Sequence, residues 1–258
     1  MNPFWAHSFA MRSRVSVAYD KWFSGANTDI NHFFGANAEA LYRPGTVSSG
    51  DVLDEIGSVD LSPVGTPQYL ADFMGSGSPP YGVGFDAAST DALGGAQMGW
   101  PDENWAVLVP WRAIAQLPDN RDDVVGRFSN SYDGFSLTLR RDWEFGYYIF
   151  QAYLEGSADS LIFDFFSTFV DDQQPHYVLF WHIAPNQTGI TTDFGEQTSS
   201  TNVGTLDATC DFRLGRLDYS DGIGAANIIV GPTVIWRGAA AATVVTDRAT
   251  TLAAWWAL

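Results

Sequence analysis

The sequence predicts an all-β sandwich of two antiparallel sheets, and three features lead there. Apolar segments of about eight to ten residues recur from Trp105 onward with turn residues between them. No helical pattern separates those segments, which argues against a parallel α/β fold. Apolar residues make up 46% of the chain, with 18 Phe and 10 Trp, enough to fill a core between packed layers. A length of 258 residues is compatible with one large β domain.

In chain order, residues 1–39 come first. Phe4, Trp5, Phe9, Trp22, Phe23, Phe33 and Phe34 are scattered there without helix or strand periodicity, so this segment reads as an extended arm whose rings must find cover on the body or on a partner. From Leu41 to about Met98, breaks such as GSGSPPYGVG at 75–84 predict short strands and many loops. The run WAVLVPW at 105–111 follows, then GFSLTLR at 134–140, whose alternation of Phe135, Leu137 and Leu139 with polar neighbours predicts a half-buried strand. The segments 145–154, 161–169 and 176–183 are apolar on both faces, as expected of central strands covered by a second layer. Further strands are expected at 203–208, 210–217 and 226–237. A single helix is expected at the C-terminus, capped by Thr246 and carrying the stripe Val245, Ala249, Leu252 and Trp256. With no repeat or low-complexity linker, the division is an arm at 1–39 and one domain at 40–258.

Charge narrows the partners. The net charge of −17 arises because 13 basic residues, among them Lys21 as the single lysine, face 30 acidic ones. Such a surface repels nucleic acid and anionic membranes. Residues 1–27 run the other way, with Arg12, Arg14 and Lys21 against Asp20, which leaves −19 for the rest. An arm opposite in sign to its body is a candidate docking device. Cys210 is the single cysteine, so packing rather than an intrachain disulfide must hold the fold. The opening MNPFWAHSFAMRSRVSV lacks the apolar run of a secretion signal, and no stretch approaches the length of a membrane span.

The order of several loose motifs resembles the laminin-G-like family. They are ALYRPG at 40–45, DEIGSVDL at 54–61 with its Asp-x-x-Gly turn, VGFDAAS at 83–89 and NWAVLVPW at 104–111. VVGRFSNSYDGFSLTLRRD at 124–142, PHYVLFWHIAPNQTG at 175–189 and DFRLGRLDYSDGIGAANIIVGPTVIWRG at 211–238 continue the series. The turn at 185–189 lacks the family's usual Asp-Gly, and residues 1–39 have no counterpart. The resemblance implies a concanavalin-A-like jelly roll, of the kind found in tailed-phage virion proteins that decorate capsids or build fibres and tail adaptors. It thereby implies a virion location, other virion proteins as partners and a homo-oligomer; on that reading the segment 1–39 is the anchor by its own composition, with Phe4, Trp5, Trp22 and Phe23 supplying buried area and Arg12, Arg14 and Lys21 meeting an acidic partner surface.

Catalytic signatures are not found in the sequence. Glycosidases of this architecture set two carboxylates about 5 Å apart on one strand, whereas no two of Glu39, Glu55, Glu103, Glu144, Glu155 and Glu196 lie within ten residues. His176 and His182 share a strand face, but six residues separate them by roughly 20 Å, too far for one metal ion. The expectation is a non-enzyme whose histidines serve packing. The resemblance also brings rim aspartates that bind Ca²⁺, for which Asp54, Asp133, Asp218 and Asp221 are candidates in turns. Trp100, Tyr132, Trp143 and Tyr219, in or near loops, are candidate glycan platforms. The alternative reading is therefore a lectin-like adhesion or host-recognition module, extracellular or at a cell surface.

Overall fold

The computed structural model describes residues 38–256, apart from short stretches at 74–80, 87–90, 98–103, 115–121, 129–133, 142–147, 168–172, 206–210, 219–222 and 226. Two antiparallel sheets face each other. The first contains β1 (Ala40–Tyr42), β3 (Gln68–Asp72), β4 (Tyr81–Phe85), β6 (Trp105–Ala113), β11 (His176–Ile183), β12 (Gln187–Thr192), β13 (Gly195–Ser199), β17 (Ile228–Val230) and β18 (Thr233–Arg237). It runs β13-β12-β11-β6-β17-β4-β3, with β18 also paired to β6 and β1 beyond it. The second runs β10 (Ser160–Ser167), β9 (Tyr148–Glu155), β8 (Gly134–Arg141), β7 (Asp122–Phe128), β14 (Asp211–Leu214), β5 (Ala92–Gln97) and β2 (Leu61–Val64). β15 (Arg216–Asp218) and β16 (Ile223–Ala225) form a separate small hairpin that lies against β7.

Between the sheets lies the main core, built from side chains at every second position: Trp105, Val107, Val109 and Trp111 of β6, Val178 and Phe180 of β11, Ala152 and Leu154 of β9, and Phe163 of β10. The intervening residues of the first sheet form a second apolar layer, including Leu108, Leu179, Trp181, Val234 and Trp236. Helix α1 (Gly238–Trp256) covers part of that layer with Ala241, Val244, Val245 and Leu252. The expected both-face burial therefore holds for β11, whose residues are buried from His176 to Trp181 and on to His182. It fails for the strand expected at 161–169: β10 is the edge strand of the second sheet, and Ile162 on its outer side is 57% exposed.

The helix begins eight residues before the expected cap. Thr246 lies within it, its hydroxyl donating to the Ala242 carbonyl at 2.8 Å rather than capping the start. The Ala239–Ala242 run is made of the strongest helix former, so the helix extends back to Gly238, whose φ of +54° a glycine accepts. There the Gly238 N–H donates to the Asn104 carbonyl, and Asn104 Oδ1 accepts from Ala184 N at 2.9 Å, tying helix start, β6 and the β11–β12 turn together. Residues 203–205 form no strand; Val203 is buried and its carbonyl accepts from Ala158 N, clamping the turn between β9 and β10. The hairpin strands β12 and β13 were not foreseen.

Candidate ligand-binding face

Alternation decides what the second sheet shows to its surroundings. Because Ala152, Leu154 and Phe163 point into the core, Gln151, Tyr153 and Glu155 of β9 and Ser160, Ile162 and Asp164 of β10 occupy the outer face. Register pairs them row by row: Gln151 with Asp164, Tyr153 with Ile162, and Glu155 with Ser160. Gln151 Nε2 donates to Asp164 Oδ1 at 2.7 Å, and the Tyr153 hydroxyl donates to Glu155 Oε2 at 2.6 Å. Each pair holds a polar group in a fixed rotamer, and the second carboxylate oxygen adds acceptor capacity that a hydroxylated ligand can use. Ile162 adds an exposed aliphatic surface beside them.

The edge beside this face is closed rather than open to pairing. Gln197 Nε2 on β13, the edge of the first sheet, donates to the Asp164 carbonyl at 2.7 Å and so bridges the two sheets at their β10 and β13 ends. A side chain that occupies an edge carbonyl blunts strand addition. The sequence did contain a trace of this face, since Gln151, Tyr153 and Glu155 alternate with Ala152 and Leu154. The neighbouring LIFDFF run masked it, because Ile162 is apolar yet outward.

Asp54 is the one candidate metal ligand whose side chain is described. Its Oδ1 accepts from the backbone N–H groups of Leu41, Ile56 and Gly57 at 3.1, 3.1 and 2.9 Å, and Asp60 Oδ1 accepts from its own N–H. This is a turn built around a carboxylate, and it needs glycine at 57, where an added Cβ would overlap Asp54 Oδ2 and crowd the Glu39 carbonyl. Tyr42 runs beneath it, its hydroxyl donating to the Val59 carbonyl at 2.7 Å; burial first, and then Asp54, Asp60 and Glu39, push its ionisation upward. Asp218 lies on β15, and its side chain is outside the described set, as are Asp133 and Asp221. Trp100, Tyr132, Trp143 and Tyr219 are outside it too, and so are Phe4, Trp5, Arg12, Arg14, Lys21, Trp22 and Phe23. Among the described residues, no three His, Cys, Asp or Glu side chains converge.

Both strand histidines point into the core at opposite ends of β11, pairing in register with Trp111 and Trp105. His176 Nδ1 lies 2.7 Å from Asp193 Oδ2, with Trp111 and Phe194 against its ring, and His182 Nδ1 lies 2.9 Å from the Thr188 hydroxyl. On the other side of the first sheet, Arg248 of α1 makes a two-point pair with Glu196 at 2.7 and 2.5 Å and stacks over Trp181, 4.8 Å from the ring centroid. Thr191 also donates to Glu196, and these contacts, led by Arg248, hold the Glu196 carboxyl below its ordinary range despite partial burial. The cluster fastens the helix rather than opening a site.

No family model and no curated protein sequence matches the chain. Solved structures do. The binding domain of botulinum neurotoxin DC, solved in complex with rat synaptotagmin II, superposes with a TM-score of 0.58 at 9% identity over 84% of this chain and 52% of that one. A botulinum neurotoxin type C structure, described by its dependence on two ganglioside molecules for cell entry, gives 0.58 at 9% over 87% and 53%. The binding domain of Paraclostridial Mosquitocidal Protein 1 gives 0.57 at 12% over 78% and 49%. The likeness is one of fold. The chain is a jelly-roll sandwich of the kind seen in these receptor-binding domains, and it spans about half the length of each.

Proposed function

We propose that this jelly roll is a non-catalytic recognition module that binds a glycan on the outer face of β9 and β10. The observation that carries this reading is the half-buried polar row of Tyr153, Glu155 and Asp164 beside exposed Ile162, held by its own hydrogen bonds, with Gln151, only 6% exposed, fixing Asp164 from beneath. Sugar recognition needs such fixed donors and acceptors for hydroxyls together with a flat apolar contact for the C–H face of the ring. The two carboxylates and the overall charge of −17 favour a neutral glycan over a sialylated or sulfated one. Receptor binding by the neurotoxin domains supports recognition as the general role.

A glycan array of neutral and anionic sugars, run with and without Ca²⁺, tests the proposal. Tyr153→Ala should weaken binding at least about tenfold, roughly 1.4 kcal/mol, and Asp164→Asn should weaken it as well. Binding that survives both changes but is lost in Trp100→Ala or Trp143→Ala would move the site to the loops.

A second reading follows from the aromatic segment 1–39, whose first 27 residues carry a net +2, on an acidic body: a laminin-G-like structural protein of a phage virion, anchored to a neighbour by that segment. It requires the full chain, and not a chain lacking 1–39, to enter a larger complex with the proteins encoded beside it.

A further inference from the structure

Register lays the outer face of β9 and β10 out as three rungs that differ in kind. At one end Gln151 pairs with Asp164, in the middle Tyr153 pairs with Ile162, and at the other end Glu155 pairs with Ser160. Each end rung carries a carboxylate. The middle one carries an aromatic ring and an aliphatic side chain that is 57% exposed. Neighbouring rungs lie two residues apart on each strand, about 7 Å at the strand rise, so the two carboxylate rungs stand roughly 14 Å apart. The three rungs therefore run along the strands, polar at both ends and apolar between.

Gln151 Nε2 occupies one oxygen of Asp164 and the Tyr153 hydroxyl one oxygen of Glu155, which leaves each carboxylate a second oxygen. Both side chains are half-buried, and among the described residues neither is paired with a cation. An ionised carboxylate only accepts, so a ligand must bring O–H or N–H donors to both ends of the face. Nothing tall flanks Glu155: Gly134 of β8 has no side chain, and Ser160 is a short, exposed hydroxyl. Addition of a peptide strand is disfavoured, because the Asp164 carbonyl on the edge already accepts from Gln197 Nε2. A single pyranose ring is about as wide as one rung spacing and cannot touch both carboxylates. A chain of linked rings can, offering hydroxyls to the end rungs and a flat C–H face to the middle one.

We infer, on the glycan reading above, that this face takes an unbranched neutral glycan lying along the strands, with three consecutive rings on its three rungs and the central ring against Tyr153 and Ile162. The test is calorimetric titration of the full chain with oligosaccharide ladders of one to five rings, in the β-linked glucose, α-linked glucose, β-linked mannose and β-linked N-acetylglucosamine series. Affinity should rise roughly tenfold with the second ring and again with the third, about the contribution of one charge-assisted hydrogen bond for each. Glu155→Ala and Asp164→Ala should each remove one of these steps while keeping the β-sheet circular dichroism, whereas Tyr153→Ala should weaken binding at every length. A ladder on which one ring binds as tightly as three overturns the inference and leaves the glycan reading standing. So does a third-ring gain that survives both carboxylate variants. Absence of binding on every ladder overturns it too, and the glycan array then decides whether the wider reading survives.

Discussion

Strands β11 and β10 are equal in length and similarly apolar, yet one is buried on both sides and the other on one. β11 (HYVLFWHI) lies between the core and the layer under α1, and its neighbour β6 shares that cover. β10 (SLIFDFFS) ends the second sheet and leaves Ile162 in solvent. An apolar strand thus acquires a second buried face only where another element supplies the opposing surface. On the first sheet α1 supplies it; on the outer side of β9 and β10 the described residues form two hydrogen-bonded polar pairs beside exposed Ile162.

The largest expected effect probes the covered side. Trp236→Ala should cost about 3–5 kcal/mol in urea unfolding, because the indole is wholly buried in the layer under α1. A loss no greater than that of a surface substitution would show that the helix does not seal the layer.

Gly189 and Gly94 sharpen the same contrast at a smaller scale. A Cβ at Gly189 would overlap the Trp181 ring and approach the Gln197 carbonyl at 2.9 Å, whereas at Gly94 it would meet only Arg213 at ordinary contact distance. Gly189→Ala should therefore cost about 1–3 kcal/mol and Gly94→Ala less than about 0.5. Comparable midpoints for the two variants would contradict the tight first sheet.

Arg248→Ala should cost about 1 kcal/mol or less, since the pair it breaks is partly exposed. Its partner adds a pH signature. Glu196 titrates lower when folded than its ordinary 4.5, so its contribution is complete above that value and is lost as pH falls through the lowered folded one. Glu196→Gln should flatten the stability profile below about pH 4.5 and leave it unchanged near neutrality. An unaltered acid limb would mean the pair does not fasten the helix. Smallest of all, Ile162→Ala should change stability by less than about 0.5 kcal/mol while weakening glycan binding. A large destabilisation there would place β10 in a covered layer and close the proposed face.

Much of the fold was legible in the sequence. The 176–183 strand is found at those limits, and the runs beginning at Trp105 and Gly134 each form a strand from that residue on, because period-2 patterns and turn residues act within a few neighbours. The Asp54-x-x-Gly57 turn was legible for the same reason, as one carboxylate captures nearby N–H groups. The helix start was misplaced because a hydroxyl at Thr246 looks like a cap whether or not the alanines before it are helical.

What the sequence determined alone was class and layering: alternating apolar segments, no cysteine pair and a strong acidic bias leave a packed β-sandwich with few cationic contacts to offer. Tertiary structure alone decided which faces are covered, which strands are edges, and that Gln151 meets Asp164 and Tyr153 meets Glu155 outside the core. The physical reason is range. Propensity and alternation are set by neighbours in the chain, whereas cover and edge position depend on contacts between segments tens of residues apart, which no local pattern encodes.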